Sequence, residues 1–146
     1  MTHTTLHLTR TIDASHVIPD HPGKCGRLHG HTYRFEVWLS GPVAAGSDML
    51  VDFFDIKATI DAWDHQHLND MVDYTPTAEL LAADMQQRLR PLVIAAAAID
   101  GDTATIGCVV RLWETPNAYA EVGELTTASG TPVALAAAAA SVAAGR

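Results

Sequence analysis

Positive charge is scarce in this chain. Its 146 residues include nine lysines and arginines against seventeen aspartates and glutamates, a formal net charge of −8. The nine form no run, and a surface that grips a nucleic-acid backbone needs clustered cations, so that class of partner is excluded. A small anion held in a pocket is not, because global charge says little about a local site and Lys24 and Arg27 flank Cys25. Long apolar runs are missing too. No stretch reaches the roughly 18–20 residues that cross a bilayer. The Ala-rich end "PVALAAAAASVAAGR" comes nearest, and it is short and weakly hydrophobic. The opening "MTHTTLHLTRTID" has neither the basic start nor the apolar stretch of a secretory signal, so a cytoplasmic location is expected.

Cysteine is nearly absent as well. Two residues in a chain of this length make no disulfide scaffold, and both are expected to stay reduced. Cys108 lies in the apolar run "ATIGCVVRLW" and is expected to be an inert, buried hydrophobe. Cys25 lies in "DHPGKCGRLHGH", a polar Gly-rich loop beside two histidines, and is the one with chemical potential.

What is present organises into one domain. Residues 4–12 alternate apolar and polar positions as a half-buried strand does, and 14–30 form a loop rich in Gly and Pro. Residues 31–39 alternate again, placing Tyr33, Phe35, Val37 and Leu39 on one face with His31 in phase. A helix begins near Asp52 or Phe53, with Ile56, Ile60 and Trp63 as its buried stripe. A second helix is expected over 76–89, with Thr75 as N-cap, Pro76 at the first position and Leu81, Met85 and Leu89 inward, ended or kinked by Pro91. Strands at 104–113 and 118–125 follow. The domain covers 1–125, and 126–146 is a low-complexity tail that offers few large side chains for docking. Two helices can cover one face of such a sheet, and the apolar residues left on the other imply a partner subunit.

Three places carry chemistry. In "HGH", His29 and His31 project to the same side of an extended segment. If the first two strands form a hairpin, His16 returns beside them, and three imidazoles with an open position suit a catalytic zinc site. The pair also occurs as ordinary surface histidine, and His21 or Cys25 could compete for the third place. In "WDHQHLND", Asp64 could fix the tautomer of His65 for proton transfer, although adjacent residues on a regular helix do not face each other. Alternatively this is a solvated helix end. Glu114 closes the apolar strand "CVVRLWE" before a Thr-Pro-Asn turn, where a carboxylate can accept two parallel donors from a planar heterocycle or simply meet solvent. Glu79 sits at a helix start, where the helix dipole accounts for it.

Together these pieces resemble the 6-pyruvoyltetrahydropterin synthase / 6-carboxytetrahydropterin synthase family. The resemblance rests on "IDASH", "CGRLHGHTY", "VDFFDIK", "DHQHLN", "PTAE" and "ETPNAYA", in that order, and spans residues 5 to 122. It implies the tunnelling fold, an α+β architecture with a four-stranded antiparallel sheet, two helices on one face and the order β-β-α-α-β-β. It further implies zinc on His16, His29 and His31, Cys25 as catalytic cysteine, Asp64 and His65 as its proton-transfer partners and Glu114 as anchor of the pterin ring. The implied assembly is a homohexamer with sites between subunits, so that His65 could act across an interface. The implied substrate is 7,8-dihydroneopterin triphosphate. The leading outcome is 6-carboxytetrahydropterin with release of acetaldehyde and triphosphate; the alternatives are a pyruvoyl product or aldolase-like cleavage to 6-hydroxymethyldihydropterin. Outside this chemistry stand a zinc hydrolase and a structural zinc module. Ile12, Ser15 and Trp63 depart from the family pattern, which usually has Phe, Ala and Leu there.

Overall fold

The computed structural model describes residues 2–100, 106–126 and 132–133. Strands β1 (His3–His16) and β2 (His29–Pro42) form a long antiparallel hairpin whose register runs from His3 opposite Pro42 to His16 opposite His29. Helices α1 (Phe53–Asp61), α2 (Leu68–Met71) and α3 (Ala78–Asp100) follow, then the hairpin of β3 (Gly107–Thr115) and β4 (Ala118–Thr126). A two-residue β5 (Pro132–Val133) adds to β4, and all neighbours in the order β1-β2-β3-β4-β5 are antiparallel. The expected α+β arrangement is therefore present, with four main strands in one sheet. The expected tail at 126–146 lies, apart from Thr126 and β5, outside the described residues, as does the start of the strand expected from 104.

Alternation decides which face is inside. Tyr33, Phe35, Val37 and Leu39 on β2 and Val110 and Leu112 on β3 are almost wholly buried. They pack against Ile56, Ile60 and Trp63 from α1 and the turn after it, and against Leu81, Met85 and Leu89 from α3. Each large apolar side chain so buried stabilises the fold by about 1.5–3 kcal/mol. The opposite face has its own small buried group, Trp38, Val109 and Leu125.

Four local expectations are corrected. Both hairpin strands run further toward the loop, so the loop spans 17–28 and His16 ends β1 rather than following it. A one-turn helix, α2, interrupts "NDMVDYTP". Helix α3 starts two residues later than expected, because the Pro76 carbonyl is turned toward His16 instead of into a helical ladder. Thr77 then replaces Thr75 at the helix start, with its Oγ1 3.4 Å from the Leu80 amide and its carbonyl accepting from Leu81. Pro91 does not end the helix, which continues to Asp100. It lies on the exposed side with Gln87, so the carbonyl that loses its partner opens to water, while Leu89, Val93 and Ala97 continue the buried stripe.

Candidate active site

The hairpin register brings the three histidines together. His16 faces His29 directly across the ladder, and His31, two positions along β2, projects to the same side. Their ligating nitrogens all lie within 4.8 Å of one another. Gly30, between the two β2 histidines, serves the ladder: a Cβ there would stand 3.2 Å from the Ala14 carbonyl of β1.

Hydrogen bonds outside the cluster fix which nitrogens point in. His16 Nδ1 lies 2.9 Å from the Pro76 carbonyl, and His29 Nδ1 lies 2.6 Å from that of Arg27. A carbonyl only accepts, so both Nδ1 atoms carry the proton and both Nε2 atoms present bare lone pairs. Those two Nε2 atoms are 3.0 Å apart, a repulsive contact unless a cation joins them. His31 Nε2 is buried with no hydrogen-bond partner. An orphaned buried nitrogen beside two opposed lone pairs fits a soft divalent cation such as zinc. Burial, the largest influence, lowers the pKa of His16 and of His31 and favours the neutral, ligating imidazole. The Tyr33 hydroxyl sits 3.2 Å from His16 Nδ1 and braces the ring; burial raises its pKa, so it stays protonated.

Glu114 stands beside this cluster, its Oε1 3.9 Å from His31 Nε2. The β3–β4 register shifts between Trp113 and Thr115, so Glu114 occupies an irregularity that re-aims its side chain at the end of the sheet. It lines a cavity of 400 Å³ together with Cys25, Glu79 and Tyr119. Cys25 is half-buried on a single helical turn, Lys24–Gly26, and is not among the ligating group. Nor is His21, whose Nδ1 accepts from the Gly23 amide. The sequence reading passed over Glu79, because its place at a helix start hides that the same place opens onto this cavity. It also missed the Pro76 and Arg27 carbonyls and the Tyr33 hydroxyl, of which only the unusual "TPTAE" turn gave any local sign.

Asp64 and His65 do face each other, 3.0 Å apart, because neither is helical. Helix α1 has ended at Asp61, and His65 takes a left-handed conformation with φ 57°. The segment is fastened to the end of β1: the His65 amide donates to the Asp13 carbonyl, the Asp13 amide to Asp64 Oδ1 and the Ser15 amide to the Gln66 carbonyl. The second of these contacts, acceptance by the Asp64 carboxylate from the Asp13 amide, is the main cause of a lowered Asp64 pKa. Ser15, a departure from the family pattern, meets His67 Nδ1 at 3.0 Å and tightens the same seam. His65 and His67 border a 510 Å³ cavity whose wall includes His31. Cys25 lies on the other cavity, so within one chain the expected acid–base partners approach the cluster from two sides. A further cavity, of 680 Å³ between residues 70–74 and α3, contains none of these groups.

A family model described as 6-pyruvoyl tetrahydropterin synthase matches residues 5–124. The chain is 29% identical over 143 residues to the 6-carboxy-5,6,7,8-tetrahydropterin synthase of Haemophilus influenzae, covering 78% of this chain and 94% of that one. It is 30% identical over 117 residues to the Bacillus subtilis protein of the same name, covering 74% and 77%. The 6-pyruvoyl tetrahydropterin synthase of Caenorhabditis elegans superposes with a TM-score of 0.62 at 23% identity, over 84% of this chain and 96% of that one, which speaks for a shared fold.

Proposed function

Because this chain belongs to the 6-pyruvoyl tetrahydropterin synthase family, we propose that it is a zinc-dependent lyase converting 7,8-dihydroneopterin triphosphate to 6-carboxy-5,6,7,8-tetrahydropterin. Acetaldehyde and triphosphate are released and one water is consumed, which balances the atoms. The observation that carries the reading is the inward-facing nitrogen set: two bare Nε2 atoms 3.0 Å apart and the orphaned His31 Nε2, beside a cavity holding Cys25 and Glu114. His16, His29 and His31 would hold the zinc, which when bound supplies Lewis acidity toward the hydroxyls of the pterin side chain.

The chain's own residues do the rest. Glu114 accepts the two parallel N–H donors of the pterin ring edge in a charge-assisted pair, and Glu79 in the same cavity adds a second carboxylate for that edge. Cys25, as thiolate, takes and returns the proton on the side-chain carbon. Asp64 holds the His65 ring through Nδ1, leaving the other nitrogen to move the hydroxyl proton. The working assembly is a cytoplasmic homohexamer with sites between subunits, which would let a Cys25 and a His65 that face separate cavities of one chain meet over one substrate. No described helix is long and apolar enough to cross a membrane.

A pyruvoyl-forming reaction is the second reading, favoured by the name of the family model and of the Caenorhabditis elegans structure. Incubating zinc-loaded protein with dihydroneopterin triphosphate, with mass analysis of pterin and aldehyde, separates them. A 6-carboxy product with acetaldehyde is expected. A pyruvoyl product without acetaldehyde moves the chain to the sister activity, and glycolaldehyde triphosphate with 6-hydroxymethyldihydropterin indicates an aldolase. Glu114→Gln should cost about 100-fold in kcat/KM, the worth of one charge-assisted pair in a desolvated site.

A further inference from the structure

A third cavity, of 550 Å³, touches the histidine cluster from the opposite face of the sheet. His31 and Glu114 form its rim, and Thr11, Arg34, Trp113 and Thr115 line it. Thr11, Arg34 and Trp113 make one row across β1, β2 and β3, each directly paired with the next. Of the three cavities that border the candidate site, this is the one with an arginine or lysine in its wall. That is notable in a chain of net charge −8, where a polyanion would otherwise be repelled.

Arg34 is held ready without being used. Its guanidinium lies over the Trp113 ring, 4.7 Å from the centroid, and the side chain is 43% exposed. Its approach to Glu36 is a distant 4.0 Å. Glu36 is already served by the Trp113 Nε1–H at 2.6 Å, by His7 at 3.3 Å and by Arg111 at 3.8 Å. The Arg34 fork is therefore oriented by stacking while its N–H donors remain available, the arrangement suited to phosphate oxygens.

We propose that Arg34, with the Thr11 and Thr115 hydroxyls, forms the subsite for the polyphosphate tail of the substrate, the tail leaving the cluster past His31 while the ring stays in the Cys25 cavity. This rests on the pterin triphosphate reading above. A fixed cation on the far side of the cluster would discriminate phosphorylated pterins from bare ones and set which end of the substrate faces Cys25.

The test is calorimetric titration of zinc-loaded wild type, Arg34→Gln and Arg34→Lys with two probes, inorganic triphosphate and unphosphorylated dihydroneopterin. Zinc content is assayed after each titration, so that chelation, common to all three proteins, is separated from binding. Arg34→Gln should weaken triphosphate binding about ten- to a hundred-fold, as loss of charge-assisted hydrogen bonds does, with Arg34→Lys in between. Dihydroneopterin should bind all three proteins alike. Equal triphosphate affinity in wild type and Arg34→Gln, or no saturable binding to wild type, overturns the proposal. So does equal loss of both probes in Arg34→Gln. If the pterin fails to bind wild type while triphosphate still depends on Arg34, the functional reading falls and the anion subsite stands.

Discussion

The histidine cluster and the Asp64–His65 pair sit at the same end of the sheet and are held in opposite ways. His16 is 1% exposed and is fixed by strand register, by the Pro76 carbonyl and by a core tyrosine. The His65 side chain is 79% exposed, on a turn fastened to β1 by its backbone and by the Asp64 carboxylate, with the His65 ring itself left outside. A metal site needs nitrogens convergent to a few tenths of an ångström, and a buried ladder supplies that at no further ordering cost. A proton-moving group needs access and a small range of motion, which the core would forbid. If that division of labour is right, the two regions should fail differently.

The largest effect should come from the cluster. His31→Ala should take zinc from about one per chain, as a three-histidine site implies, to a small residue while the domain stays folded. Turnover should fall on the order of a thousand-fold, since Lewis acidity contributes several kcal/mol. Metal analysis with circular dichroism checks this; stoichiometric zinc in the variant would sink the ligand set, and unfolding on metal loss would favour a structural zinc module.

His65→Gln should do the converse. Zinc content should be unchanged while kcat drops by about a hundred-fold, the typical worth of a positioned acid or base. The comparison breaks if this variant loses metal, or if kcat is untouched, because the pair would then be a turn brace with no part in proton transfer.

The same division explains what could be read in the chain. Alternation along β2 makes His31 share a face with Tyr33 and Phe35, and "HGH" announces two imidazoles on that face, so the pair was legible from spacing, whereas the choice of His16 over His21 or Cys25 as the third member came from the resemblance. The stripe Ile56, Ile60 and Trp63 likewise gave its helix, although Trp63 falls in the turn beyond Asp61. What stayed hidden depends on partners distant in sequence. The Pro76 carbonyl is sixty residues from the ring it orients. The irregularity at Glu114 exists only relative to β4, and the positive φ of His65 is set by the Asp13 carbonyl. Pro91 misled because a local rule about helices says nothing of which side of the helix faces water. The roles given to Cys25 and Glu114 came from resemblance, and Glu79 was passed over because a helix start already accounts for a carboxylate.

The smallest effect is on stability, and it distinguishes burial from exposure without any substrate. Burial lowers the His16 and His31 pKa values below 6.5, against smaller raising contributions from the Pro76 carbonyl on His16 and from Glu114 on both. In the folded, metal-free chain both rings therefore stay neutral as pH falls through 6.5, while in the unfolded chain they take up protons there. The unfolded state then binds more protons, so stability must fall with acid over that window and level off at higher pH. Denaturant midpoints of metal-free protein should decline between about pH 8 and about pH 5.5, and the decline should be shallower in His31→Ala, which removes one of the two titrating rings. Zinc loading should steepen it, because each ligand must be neutral to bind and protons compete with the metal. An identical slope in wild type and His31→Ala would mean that His31 titrates as freely as an exposed imidazole, and the contrast between the two regions would lose its electrostatic half.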